Sequence, residues 1–151
     1  PFIQVIVTKE IEVFSEVSSD SIYIDFDPFK LEYICFNLAI NAKEARVKGR
    51  NTIIKITAKT EIVGQKHPIR SMGVDCGKYA VISFWDNGIG ISAANLLEVK
   101  NPFFSTKDQA THEGLGLSMA ESVLNKFKSV LVVESSESEF TKISLFIPCV
   151  K

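Results

Sequence analysis

An acidic residue followed by two glycines stands at the end of an apolar run near the middle of the chain. Residues 79–85 predict a buried strand, and the sequence Asp86-Asn87-Gly88-Ile89-Gly90 follows directly. A buried carboxylate is costly without partners, so Asp86 could accept hydrogen bonds from an amine such as the adenine amino group. The glycines permit positive φ and a close approach of a ligand to the main chain. An ordinary Asp-Asn-Gly turn is the alternative for this stretch.

Two asparagines lie one turn apart on a predicted helix. Asp27 can cap this helix, Pro28 suits its first position, and the helical pattern runs to about Val47. Asn37 and Asn41 flank the apolar stripe at its edge, where side chains can line the wall of a pocket. The alternative is a pair of boundary amides that are satisfied by their neighbours.

A polar segment and a glycine-rich helix start follow in the last third of the chain. Residues 100–113 are polar and show no clear period, yet they include a Phe-Phe pair and Lys107. An irregular segment of this length inside a compact domain is often a functional lid. Gly114-Leu115-Gly116 then opens a second helix, whose N-terminal N–H groups suit a phosphate. A flexible loop before an ordinary helix start is the alternative.

The elements around these motifs predict the fold class. We predict an α/β sandwich in which a mixed, mostly antiparallel sheet is covered on one face by two long helices and a shorter one capped by Ser92. The pocket is expected between the helices and the lid. Strands are predicted at residues 2–7, 11–17, 22–26, 53–60, 79–85, 130–134 and 142–147, with a loop or loose hairpin tip at 61–78.

Composition restricts the class of protein. A chain of 151 residues with 46% hydrophobic content predicts one packed domain. The net charge of −1 provides no field that would recruit nucleic acid or an anionic membrane. The three cysteines and two histidines are scattered, which excludes a metal spacing or a disulfide framework and favours a reducing, cytoplasmic setting. Since the chain begins without Met, we interpret it as a fragment of a longer protein, whose membrane anchoring stays open.

The order of these motifs resembles the GHKL superfamily, the ATP-binding Bergerat fold of histidine kinases, gyrase-type topoisomerases, Hsp90 and MutL. The greatest similarity is to the catalytic ATP-binding domain of sensor histidine kinases, and it extends over nearly all of residues 1–151. The four matching stretches are 36–45 for the N box, 86–90 for the G1 box, 102–107 (PFFSTK) for the F box of nitrogen-regulation-type kinases, and 114–118 for the G2 box.

The resemblance implies roles for individual positions. Asn41 would bind the Mg²⁺ that bridges the phosphates of ATP, and Asn37 would lie nearby as a catalytic residue. Asp86 would accept from the adenine amino group, in a pocket shaped by Gly88 and Gly90. The other implied residues are Lys107, which reaches the phosphates as a second catalytic residue, and the nucleotide-binding residues Phe104, Gly114, Leu115, Gly116 and Thr141.

The resemblance also implies a reaction and its partners. Asn37 stands where gyrase-like, Hsp90-like and MutL-like members carry a Glu that activates water, and an Asn cannot take a proton. This difference favours transfer of the γ-phosphate to a histidine on a separate dimerisation domain, with a response regulator downstream. The fragment alone is then expected to be monomeric with little activity, and its parent to be a homodimer.

Several positions depart from the family pattern. His112 replaces the first glycine of the G2 box, Lys128-Ser129 replace a Gly-Gly pair, and Phe140 stands near an absent glycine turn. These departures leave open a degenerate nucleotide-binding or docking module without kinase activity. A serine kinase or an ATPase of the same superfamily is a further alternative, although Asn37 argues against the ATPase.

Overall fold

A five-stranded mixed sheet forms the frame of the molecule. The computed structural model describes residues 10–99 and 116–150, so the strand predicted at residues 2–7 lies outside the described residues. Among these described residues the strand order is β1-β2-β3-β5-β4, and β1–β2 is the only parallel pair. The strands are β1 (Ile11–Val17), β2 (Thr52–Val63), β3 (Gly77–Asp86), β4 (Val130–Ser136) and β5 (Phe140–Pro148).

The long helix α1 (Pro28–Glu44) connects the two parallel strands, as a parallel pair requires a crossover. Its start is confirmed where the sequence predicted it, because the Asp27 carboxylate accepts from the amides of Phe29 and Lys30 at 2.9 and 3.1 Å.

The end of α1 comes earlier than the predicted Val47. Ala45 is already the C-cap, and its carbonyl accepts a hydrogen bond from the Ile89 amide at 2.8 Å. A contact with a distant loop therefore ends the helix, and no local signal in the sequence announced it.

The main core lies between the helices and one face of the sheet. Leu38 of α1 and Leu124 of α3 (Gly116–Lys126) are buried against Ile54, Phe84 and Leu145. Each such side chain contributes about 1.5–3 kcal/mol when it is withdrawn from water. The short helix α2 (Ala93–Leu96) is capped by Ser92 as predicted, contacts β4 and has no buried residue. The two long helices therefore supply the buried cover.

The opposite face of the sheet carries a second, smaller core. The loop predicted at 61–78 is wrong in its bounds, because β2 continues to Val63, β3 begins at Gly77 and a 3-10 helix forms at Pro68–Met72. Ile69 and Val74 of this segment pack against apolar residues of β3, β4 and β5. A five-residue 3-10 turn is too short to show a period in the sequence.

The strand predicted at residues 22–26 is also wrong, except at one position. Ile24 forms a single antiparallel bridge with Cys149, and no longer ladder follows. Ile22, Ile24 and Phe26 pack against the main core instead. The alternation of apolar and polar residues in this segment therefore arises because an irregular segment buries one of its sides.

Candidate functional site

A row of four side chains crosses the sheet at the end where β3 stops. Ile54, Asp86, Thr141 and Ser135 stand directly opposite one another on β2, β3, β5 and β4. Directly paired residues of antiparallel strands share one face of the sheet. This face is the one that α1 and α3 cover, because the residues two positions further into each strand point to the same face and belong to the main core. Asp86 and Thr141 are 4% and 7% exposed.

The loop after β3 folds back onto Asp86. The Gly88 amide donates to Asp86 Oδ1 at 2.9 Å. A Cβ atom at Gly88 would overlap the carbonyl of Ala45, and one at Gly90 would overlap the carbonyl of Ser136. The sequence predicted that these glycines permit a close approach of a ligand to the main chain, and the structure shows other groups at that distance. They are backbone carbonyls of the protein, which hold the loop around the carboxylate.

Two residues that the sequence analysis did not assign hold this loop from outside. The Asn87 side chain accepts from the Ile53 amide at 2.8 Å and donates to the Asn51 carbonyl at 3.0 Å. The Arg50 guanidinium donates to the Asn87 carbonyl at 2.9 Å and reaches the Ser138 carbonyl at 3.4 Å. Asn87 could have been found as the middle of the Asp-Asn-Gly turn, whereas Arg50 carried no signal.

The two asparagines of α1 face the beginning of α3. A Cβ atom at Gly116 would lie 3.9 Å from Asn41 Nδ2, in ordinary contact distance. Asn37 and Gly116 line the same groove, which has a volume of ≈ 210 Å³. Because the N-terminus of a helix carries partial positive charge, this arrangement places two amides beside a region that attracts anions.

The groove between α1 and α3 is apolar along most of its length. Phe29, Tyr33 and Met119 lie on its wall and are 81%, 58% and 48% exposed. Large exposed apolar side chains gathered around one groove are typical of a surface that another protein covers. The remaining lining residues are Lys30, Ile34, Ala120 and Val123.

Four of the predicted site residues lie outside the described residues. They are Phe104, Lys107, Gly114 and Leu115, together with the predicted lid at 100–113. The structure therefore brings together Asp86 with Thr141 and, separately, Asn37 and Asn41 with Gly116.

The thiol of Cys35 is buried on α1. Burial, with a smaller contribution from Glu32, raises the pKa of the Cys35 thiol to about 11, so it stays protonated and unreactive at neutral pH. Within residues 10–99 and 116–150, no group of three His, Cys, Asp or Glu residues could hold a metal ion. No helix of the same ranges is both long and apolar enough to cross a membrane.

Residues 26–151 match the family model of histidine kinase-, DNA gyrase B- and HSP90-like ATPases. The match covers α1, the strand-end carboxylate and α3. The chain belongs to this family, the GHKL ATPases. The predicted resemblance is thereby confirmed at the level of the family.

Two sensor kinases show how this GHKL domain relates to longer proteins. The sensor kinase CckA of Brucella abortus (strain 2308) is 28% identical over 145 residues, which cover 95% of this chain and 15% of CckA. The sensor histidine kinase ZraS of Escherichia coli (strain K12) is 30% identical over 125 residues, which cover 83% of this chain and 23% of ZraS. The chain thus spans less than a quarter of either relative.

Solved structures confirm the predicted α/β sandwich. The catalytic domain of the histidine kinase ThkA has a TM-score of 0.70 at 24% identity, covering 97% of this chain and 82% of that one. Full-length ShkA in complex with AMPPNP has a TM-score of 0.70 at 20% identity, covering 93% of this chain and 26% of ShkA. At this level of identity the likeness establishes the fold.

Proposed function

We propose that this GHKL domain binds Mg-ATP and donates the γ-phosphate to a histidine on a separate dimerisation domain, with a response regulator downstream. The observation that carries the proposal is that the end of α1 adjoins both the loop after Asp86, through the hydrogen bond from the Ile89 amide to the Ala45 carbonyl, and the start of α3. Asp86 closes β3, Asn41 projects from α1, and Gly116 begins α3 beside Asn41. The similarity to sensor kinases supports the reaction and a homodimeric parent.

The chain is proposed to be one catalytic ATP-binding domain of a longer protein. Its three cysteines are free, which supports a reducing, cytoplasmic location for this part of the parent. The small net charge of −1 gives no reason to include nucleic acid among its partners.

The end of the sheet would hold the base of the nucleotide. The nearly buried Asp86 carboxylate is an acceptor, and the adenine amino group supplies a matching donor. Thr141 lies directly opposite Asp86 and would contact the same edge of the base. The loop held by Gly88 and Gly90 would close the pocket from the side.

The space between α1 and α3 would hold the phosphates and the metal ion. Mg²⁺ prefers oxygen ligands and keeps several waters, so the amide oxygen of Asn41 with the phosphates is a fitting donor set. When bound, the ion neutralises phosphate charge. The N-terminus of α3 at Gly116 would add its partial positive charge, and Lys107, Phe104, Gly114 and Leu115 would complete the phosphate side.

Asn37 supports transfer to a protein side chain rather than to water. Its amide has no basic site, so it cannot take a proton from an attacking water molecule. It lines the groove beside Gly116, where it can orient the phosphates through hydrogen bonds. Phosphoryl transfer depends mostly on such positioning and on charge neutralisation.

Replacing Asn41 by Ala is expected to remove the effect of Mg²⁺ on nucleotide binding while ADP still binds weakly. The reason is that the variant loses the one protein oxygen assigned to the ion and keeps the base pocket. The measurement is calorimetric titration with ADP, with Mg²⁺ and with a chelator. Asn125→Ala, an exposed position on α3, is the matched control and should keep the wild-type Mg²⁺ dependence.

Two outcomes would redirect the proposal. If the folded wild-type chain binds no adenine nucleotide, the chain is a degenerate docking module. If it binds nucleotide but yields no acid-labile phosphate when the parent's dimerisation domain is added, a serine kinase or an ATPase becomes the better assignment.

The apolar groove would dock the dimerisation domain. It is continuous with Asn37, so a helix seated there would bring its histidine toward the end of the phosphate chain. The exposed Tyr33 and Met119 would supply apolar contact area for that helix.

The double substitution of Tyr33 and Met119 by Ser is expected to lower the rate of histidine phosphorylation about 30-fold, since two apolar contacts of about 1 kcal/mol each are lost. The affinity for ADP should stay unchanged, because both side chains are exposed and lie outside the base pocket. Ile62→Ser, at a side chain that is 69% exposed on β2, controls for loss of surface apolarity. An equal loss of rate in the control would contradict docking in the groove.

A further inference from the structure

We infer that Ser135 is a positioning residue that fixes the Thr141 hydroxyl as a hydrogen-bond acceptor, and that the pocket thereby selects a purine with an amino group at C6 over one with a carbonyl. The inference rests on the proposed nucleotide binding and deepens it, because it assigns base selectivity to a residue outside the predicted site.

Ser135 Oγ stands at the centre of three hydrogen bonds. It lies 2.8 Å from the Ile91 amide, 2.6 Å from the Phe140 carbonyl oxygen and 3.0 Å from Thr141 Oγ1. These contacts connect the loop after β3 with both strands of the last hairpin. The Ser135 hydroxyl therefore joins the two walls of the proposed base pocket.

The chemistry of the three partners determines the direction of each bond. A hydroxyl has one hydrogen and two lone pairs, an amide N–H only donates, and a carbonyl only accepts. Ser135 therefore donates its hydrogen to Phe140 and accepts from Ile91. Its remaining lone pair can only accept, so Thr141 must donate its own hydrogen to Ser135.

This direction has a consequence for the pocket. With its hydrogen committed, the Thr141 oxygen offers only lone pairs to a ligand or to a bridging water. Thr141 is directly opposite Asp86, on the same face of the sheet, and both side chains are nearly buried. The pocket thus presents two neighbouring acceptors and no hydroxyl donor from this pair.

Two acceptors favour adenine over hypoxanthine. Adenine carries an amino donor at C6, whereas hypoxanthine carries a carbonyl at the same atom. A carbonyl at C6 offers no hydrogen to either of these buried acceptors, and sites built to hydrogen-bond a group reject analogues that lack it. Once Ser135 releases the Thr141 hydroxyl, that hydroxyl can rotate and donate to the carbonyl.

The test compares binding of ADP and IDP by calorimetry, since neither diphosphate is a phosphate donor. The wild-type chain should prefer ADP. In Ser135→Ala the ratio of IDP to ADP dissociation constants should fall by about three- to tenfold, the range of one net hydrogen bond. Ser135→Thr restores the hydroxyl and should restore the ratio.

The ratio of the two dissociation constants separates a positioning role from a loss of stability, because a loss of stability would weaken the binding of ADP and IDP alike. Ser144→Ala is the matched control. Ser144 lies on β5 like Thr141 but on the opposite face of the sheet, and the substitution removes its buried 2.9 Å hydrogen bond with Ser83. It should leave the ratio unchanged. If Ser135→Ala does not fold, Ser135→Cys takes its place, because it keeps the shape of the side chain and is only a weak donor. It should shift the ratio in the same direction.

The outcomes are distinguishable. A wild-type chain that binds neither diphosphate overturns the proposed function and this inference with it. A wild-type chain that prefers ADP, together with serine variants of unchanged ratio, overturns the inference and leaves the proposed function standing.

Discussion

Replacing Asp86 by Asn is expected to lower the affinity for ADP by about 100-fold. Asn has nearly the same shape, and its Oδ1 can keep the 2.9 Å bond from the Gly88 amide. The second carboxylate oxygen becomes an NH₂ donor, which then faces the donor of the adenine amino group. A lost charge-assisted hydrogen bond with a buried, unsatisfied donor costs about 3 kcal/mol, which corresponds to that factor.

The measurement is calorimetric titration with ADP alongside a thermal melt. The melting temperature should change little, since the loop keeps its hydrogen bond to the side chain. Asp25→Asn is the matched control, because it removes the same charge from an exposed position away from the row. If Asp86→Asn bound ADP as tightly as this control does, Asp86 would not be the adenine acceptor.

Replacing Gly90 by Ala is expected to lower the free energy of unfolding by between about 2 and 5 kcal/mol. Gly90 has φ +66, a conformation that costs an L-residue roughly 1–2 kcal/mol. Its new Cβ would overlap the Ser136 carbonyl, and such overpacking against backbone costs a further 1–3 kcal/mol or so. Urea denaturation followed by fluorescence of the single tryptophan measures the loss.

Gly73→Ala is a control that isolates the packing contribution. Gly73 has φ +82, and a Cβ there would meet no atom within 4 Å. It should therefore cost only the conformational part, about 1–2 kcal/mol. Equal losses in the two variants would mean that the last hairpin gives way to the new methyl group, and that the close packing at Gly90 is not required.

Several local features of this protein followed from the sequence. Asp27 and Pro28 set the start of α1, because a cap and a proline act within one turn of the chain. The apolar run at 79–85 was a buried strand, as continuous burial of one segment predicts. The ordered motifs indicated the GHKL family, and the family match confirmed it.

The structure around these local features depended on contacts between distant parts of the chain. The segment at 61–78 gained its 3-10 turn and its core from packing on the far face of the sheet. The end of α1 was set by the Ile89 amide rather than by a local stop signal.

By itself, the sequence determined the family, the two asparagines on α1 and the carboxylate at a strand end, because periodicity and turn chemistry are properties of short segments. Only the tertiary structure decided that Thr141 and Ser135 stand beside Asp86. That register depends on hydrogen bonds between strands far apart in the chain, and a shift of one residue would turn every side chain to the other face. The pairing of α1 with the start of α3 was decided in the same way, by helices that bury a common core.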